Sequence, residues 1–234
     1  MKVAQVSEHV WSVSAWLVFP VTVWLVREED GVTLVDAGMP FMATGIARAV
    51  RSLGAGPLWR IVLTHGHADH VGAVTRLLGV WPDIPVLAHR LEIPPMTGEA
   101  TYPGRRRAAA YLPRGLARPL PEDADGRLGP VGGLRPYWTP GHAPGHVVYH
   151  HERDDVLLAG DLFNAKQGRL RFPMFTFDKA RTLESSRIVR ELDPAHMEVC
   201  HGGPVRRPAD QLEDYLRVHA RYAGQTEEGS GKAG

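Results

Sequence analysis

Short apolar runs crowd the beginning of this chain. Val, Trp, Leu and Phe cluster near 9–13, 15–19, 22–27 and 32–36, the composition of strands with at least one buried face. Asp30-Gly31 separates the last two runs and predicts a hairpin. The stretch from Val13 to Val26 is apolar almost throughout. It holds Pro20 and falls short of the roughly 20 residues that cross a membrane as a helix, so two strands broken at Pro20 are expected. After Pro40 the period lengthens: Ile46, Val50 and Leu53 recur at helical spacing until Gly54-Ala55-Gly56-Pro57 stops them. A strand at 61–64, a helix at 70–79 and a strand at 86–88 follow. Residues 90–127, rich in Pro, Gly and Arg, hold no sustained period and are expected to be irregular. Beyond them the pattern predicts strands near 134–138, 146–151 and 156–160, a helix over 179–192, a strand over 196–200 and a helix over 208–222. The polar, Gly-rich stretch 225–234 reads as a disordered tail.

Strands alternating with helices in both halves fit α/β layers better than an all-β barrel. With 234 residues, 44% of them hydrophobic, the chain can bury a sizeable core, and residues 1–224 are expected to form one domain with 90–127 as an insertion. A net charge of +1 supplies no global field for nucleic acid or a membrane surface, which leaves a small molecule as the expected partner. The single cysteine, Cys200, excludes an internal disulfide and any Cys-rich zinc module, and points to the cytoplasm. Glu8 ahead of the apolar stretch, with no substantial basic segment, argues against a cleaved leader.

Chemistry enters where the apolar runs end. His65-Gly66-His67-Ala68-Asp69-His70 places three imidazoles and a carboxylate between a predicted strand and a predicted helix. Imidazole mixed with carboxylate suits zinc, iron or manganese better than calcium or magnesium, which prefer oxygen shells. Three further candidates stand just beyond other runs: His142 in the turn Thr139-Pro140-Gly141-His142, Asp161 after Val156–Gly160, and His201 after Met197–Cys200. If strand ends converge on one edge, these five His and two Asp suffice for two four- or five-coordinate ions sharing a water, whose pKa would fall from about 15.7 toward roughly 7.

In this order the motifs resemble those of the metallo-β-lactamase fold hydrolases. The pattern is His-x-His-x-Asp-His, a His in a Thr-Pro-Gly-His turn, Gly-Asp after a strand and a His before Gly, with Thr33-Leu34-Val35-Asp36-Ala37-Gly38 similar to the family's first motif. The resemblance runs from about Trp11 to about His219. It implies a four-layer αββα sandwich and two divalent ions, zinc first and manganese or iron as alternatives. One ion would take His65, His67 and His142; the other Asp69, His70 and His201; Asp161 would bridge them. Asp36 would orient the site without binding metal, and Asp69 would also orient the attacking water and carry a proton. The implied reaction is hydrolysis of an ester-like bond: thioester, lactone, carboxylic ester or phosphodiester.

Departures from related branches narrow this. Asp161 argues against a true β-lactamase, and His67 stands where flavodiiron proteins carry Glu. The alternatives are a mononuclear iron persulfide dioxygenase and a metal-bound protein without turnover. His146 reads as a structural neighbour that points away from the metals, and Cys200 as a buried strand residue. Tyr102, Tyr111, Phe163, Phe172, Met174 and Phe175 could wall a substrate pocket. Arg105, Arg106, Arg107, Arg114 and Arg118 could form a lid for an anionic substrate, since a guanidinium grips carboxylate or phosphate in bidentate fashion.

Overall fold

The computed structural model describes residues 1–223, so the tail expected at 225–234 lies outside the described residues. The first half lays down seven strands in sequential order, β1 (Lys2–Gln5), β2 (Val10–Trp16), β3 (Pro20–Arg27), β4 (Val32–Val35), β5 (Leu58–Val62), β6 (Val86–Ala88) and β7 (Ala117–Pro119). Pairing is antiparallel from β1 to β4 and parallel from β4 to β7. The parallel half is connected through helices α1 (Ala43–Ser52), α2 (Ala68–Val71), α3 (Val74–Leu78) and α4 (Ile93–Met96). The second half gives β8 (Arg135–Trp138), β9 (Val147–His151), β10 (Val156–Leu158), the small hairpin β11 (Asn164–Lys166) and β12 (Arg169–Arg171), helices α5 (Lys179–Ser185) and α6 (Ile188–Leu192), β13 (His196–Glu198), β14 (Val205–Arg206) and α7 (Ala209–His219). Its main sheet runs β14-β13-β10-β9-β8.

Period-two alternation explains the layering. Val147 and Tyr149 of β9 join the core shared with β2–β5, α1 and α3, whereas Val148 between them joins a second core with Leu183, Val189, Leu212 and Tyr215 of α5, α6 and α7. The second sheet is therefore covered on one face by the first sheet and on the other by helices. With α1 and α3 on the first sheet, the layers run helix, sheet, sheet, helix. Among the described residues no helix is long and apolar enough to cross a membrane.

Several expectations are corrected. The apolar run from Val13 to Val26 folds as a hairpin, but the break falls at Leu17–Phe19; Pro20 starts β3 opposite Trp16, and the runs at 9–13 and 15–19 merge into one strand. The helix expected at 70–79 is two short ones broken at Gly72-Ala73. That expected at 179–192 breaks at Ser186-Arg187, where Ser186 Oγ turns back to donate to the Leu183 carbonyl at 2.6 Å. The stretch 90–127 is not irregular throughout: it holds α4, and β7 adds a strand to the sheet beside β6. The short strands β1, β11, β12 and β14 also went unpredicted, each too brief to show a period.

Candidate metal centre

Parallel pairing of β4 with β5, and of β10 with β13, brings the carboxyl ends of these strands to one edge of the stacked sheets. Ligand sites of α/β sheets form at such edges. The chain leaves β4 into Asp36, β5 into Thr64–His70, β10 into Asp161 and β13 into His201, while His142 lies in the turn from β8 to β9. Backbone bonds lock these loops across the two sheets: Val147 N donates to the Thr64 carbonyl at 2.8 Å, and Thr22 N to the Cys200 carbonyl at 3.2 Å.

His65, His67 and His142 form one donor set. His65 Nε2 lies 2.8 Å, and His142 Nε2 3.1 Å, from His67 Nδ1. Burial, reinforced by the other imidazoles, holds all three pKa values low: His65 well below its ordinary value, His67 at about 3 and His142 at about 4. The three rings are consequently neutral near pH 7, the form that donates a lone pair to a metal.

The second set gathers around Asp161. His70, Asp161, Cys200 and His201 present donor atoms within 4.8 Å of one another. Asp36 accepts from His70 Nδ1 at 2.8 Å, which turns His70 Nε2 toward Asp161 Oδ1, 3.6 Å away. His201 donates through Nδ1 to the Pro20 carbonyl at 2.9 Å, leaving Nε2 3.3 Å from Asp161 Oδ2 and 3.2 Å from Asp69 Oδ2. Asp161 Oδ2 also stands 3.5 Å from His142 Nε2, so its carboxylate lies between the two sets. Burial disfavours charge on His70 and His201, but the surrounding acidic groups outweigh it and raise both pKa values. Asp69 and Asp161 respond in the opposite sense: burial would raise them, yet the imidazoles hold Asp69 at about 2 and Asp161 well below its ordinary value.

Asp36 itself is fully buried and supports this edge. Its carboxylate accepts from Thr64 N at 2.8 Å and Thr64 Oγ1 at 2.7 Å as well as from His70, and its φ of 58° is unusual for a residue with a side chain. His146 is also buried against the cluster: its Nε2 accepts from Asp161 N at 3.1 Å, while its Nδ1 lies 2.8 Å from Thr139 Oγ1. It packs 5.3 Å from the His65 ring, closer to the donors than the sequence reading placed it.

The donor chemistry fits a divalent cation. His70 Nε2 and Asp161 Oδ1 are buried with no hydrogen-bond partner, a costly state that a bound cation would relieve. Nitrogen and carboxylate donors converging from several loops are the ligands of zinc and its first-row neighbours. The donors gathered at this edge have the chemistry to hold a divalent metal. Asp69, half-buried like His67 while the other donors are buried, stands beside His201, whereas Cys200 lies inside the tighter set.

The expected aromatic wall divides. Phe163 and Phe172 pack against Tyr215 of α7, away from the donors. Tyr102 stands 4.9 Å from the His67 ring. Met174 and Phe175 are exposed and immediately precede Thr176, whose Oγ1 is 3.4 Å from His142 Nδ1. Two residues escaped the sequence reading. Phe19 meets His201 edge-on at 5.0 Å, and Glu92, fully buried, ties the loops together from behind. Nothing in a single sequence marks Glu92, because glutamate is ordinarily a surface residue.

Comparison with known proteins agrees with this geometry. The sequence profile of the metallo-beta-lactamase superfamily matches residues 16–197. The probable metallo-hydrolase YybB of Bacillus subtilis is 33% identical over 222 residues, covering 92% of this chain and 98% of that protein. A hydroxyacylglutathione hydrolase of Aeromonas hydrophila is 32% identical over 150 residues, 63% of this chain and 49% of that enzyme. Among solved structures, a metallo-beta-lactamase from Erythrobacter litoralis superposes with a TM-score of 0.70 at 21% identity, covering 94% of this chain and 96% of that one, a likeness of fold. The chain thus belongs to the metallo-β-lactamase superfamily.

Proposed function

We propose that this protein is a dinuclear metal-dependent hydrolase acting on an ester-like bond of a small, anionic molecule. One observation carries the reading: the Asp161 carboxylate lies between the two donor sets, with one oxygen toward His70 and the other toward His142 and His201. His65, His67 and His142 would hold one ion, and Asp69, His70 and His201 the other. Bound zinc, or manganese or iron in its place, would supply Lewis acidity and an activated water. The remaining work falls to the chain. Asp161 fixes the spacing of the two sets, and Asp36 keeps His70 in one orientation. Asp69, ionised at neutral pH and half-buried beside His201, would orient the water and carry its proton to the leaving group.

An anionic substrate is supported by the turn at Tyr102–Arg105, where Arg105 N donates to the Tyr102 carbonyl at 3.0 Å. Arg105, Arg106 and Arg107 are exposed and follow Tyr102, whose ring lies 4.9 Å from the His67 ring. We put thioesters first among the bonds to test, in view of the similarity to a hydroxyacylglutathione hydrolase.

The test joins metal analysis of purified protein to assays on a thioester, a lactone, a carboxylic ester and a phosphodiester. Expected are two ions per chain, and hydrolysis of at least one substrate that chelation abolishes. Weaker KM for anionic substrates at high salt is expected as well, because exposed guanidinium attraction is screened. A single iron per chain with oxygen consumed during turnover would overturn the reading in favour of a persulfide dioxygenase.

A further inference from the structure

Glu92 follows the end of β6 and is fully buried, yet no Lys or Arg pairs with it among the described residues. Burying a carboxylate without a cation is costly unless several donors surround it. Three do. Oε2 accepts from Gly66 N at 2.9 Å and from Tyr102 Oη at 2.7 Å, and Oε1 accepts from Gly145 N at 2.7 Å.

The identity of those donors is informative. Gly66 is the residue between His65 and His67. Gly145 closes the turn that carries His142 and precedes His146, which in turn holds the Asp161 backbone. Glu92 is therefore a strut between the two loops that supply the three-histidine set. Both glycines are needed for the approach: a Cβ on Gly145 would stand 2.9 Å from Glu92 Cγ, and one on Gly66 would stand 2.6 Å from Met96 Cβ. Tyr102 extends the strut to the Arg-bearing turn, since its hydroxyl bonds Glu92 while its ring lies against His67.

We infer that Glu92 is the positioning residue of the His65, His67 and His142 set: it touches no donor atom and fixes the separation of the loops that carry them. The inference rests on the reading of that set as a metal site. It assigns to Glu92 a selective role: His70 lies on the Gly66 segment but is anchored separately, by Asp36 at Nδ1 and by Ala37 N at its carbonyl, and among the described residues the loop bearing His201 makes no bond to Glu92.

Glu92→Gln probes this with little change of shape. An amide offers one acceptor oxygen and one NH2 group, so in either orientation an N–H faces at least one buried donor, and one loop loses its tether. The measurement is zinc titration of metal-free protein against a competing chelator, with histidine-ring 1H–15N spectra reporting which imidazoles take the ion. Wild-type protein is expected to fill both sets. In E92Q, affinity at His65, His67 and His142 should fall roughly 10- to 100-fold, the usual effect of changing a group behind a ligand, while affinity at His70 and His201 stays within about 3-fold. Equal loss at both sets, or none at either, overturns the inference. Failure of wild-type protein to bind zinc would instead overturn the metal reading. Should E92Q not fold, Tyr102→Phe removes a single donor and should weaken the three-histidine set alone by about 2- to 10-fold; unchanged affinity there also overturns the proposal.

Discussion

The two halves of the metal centre use the same side chain in opposite electrostatic states. His65, His67 and His142 are crowded by one another and by apolar burial, which keeps them neutral. His70 is buried just as deeply and His201 somewhat less, yet Cys200, Asp36, Asp161 and Asp69 around His70, and Asp161, Asp69 and Cys200 around His201, favour the protonated ring. The first set stands ready for a cation. The second must release protons to accept one, and its carboxylates then exchange one positive partner for another. Burial alone does not decide the state of a histidine; the sign of its neighbours does.

The largest expected effect removes what the two sets share. Asp161→Ala should cost both sets a donor and abolish nearly all turnover, a loss beyond the 10- to 100-fold that changes behind a ligand typically bring. Two bound ions and near-normal turnover in that variant, by elemental analysis and assay, would break the comparison altogether.

Acidification should separate the sets next. For a ligand whose metal-free pKa lies above the working pH, each lost pH unit costs about tenfold in metal affinity per proton displaced; for one whose pKa lies below, it costs nothing until that pKa is reached. Going from pH 7 to pH 5 should thus weaken the ion at His70 and His201 by roughly 10²-fold or more, while the three-histidine set holds its ion until about pH 4, where His142 titrates. Equilibrium dialysis at pH 7 and pH 5 checks this by stoichiometry. Simultaneous release of both ions would contradict it.

A smaller change sharpens the contrast. Asp36→Ala leaves every proposed ligand in place but frees His70 to rotate and strips an acceptor from Thr64. Metal affinity at the second set should fall about 10- to 100-fold, with a lesser effect on the first. Ring spectra of the histidines during zinc titration would show which set suffers.

How much of this was legible beforehand depended on punctuation. Asp36, His65, His67, Asp69, His70, His142, Asp161 and His201 all follow apolar runs or stand in Pro/Gly turns, so strand ends announced them. The layered fold was legible for the same reason, since runs of period two and period 3.6 alternate. What stayed hidden depends on contacts distant in sequence. Glu92 reads as an ordinary surface acid until Gly66 and Gly145 arrive from other loops. β7 reads as loop because Ala117–Pro119 is short, contains a proline and becomes a strand only by pairing with β6. Cys200 reads correctly as buried, while its nearness to His70 and His201 follows from how β13 ends against β10.

The cross-sheet backbone bonds from Val147 to Thr64 and from Thr22 to Cys200 make the centre a gauge of alignment. Each donor set draws on loops from both sheets, so neither half of the chain alone can assemble one. A small slip of one sheet over the other would leave every strand intact and still separate the donors. As the protein is loosened by heat or denaturant, metal release should therefore register the loss of sheet-to-sheet register before circular dichroism registers any loss of strand or helix. A bound ion, by the same logic, clamps the sandwich shut along that edge.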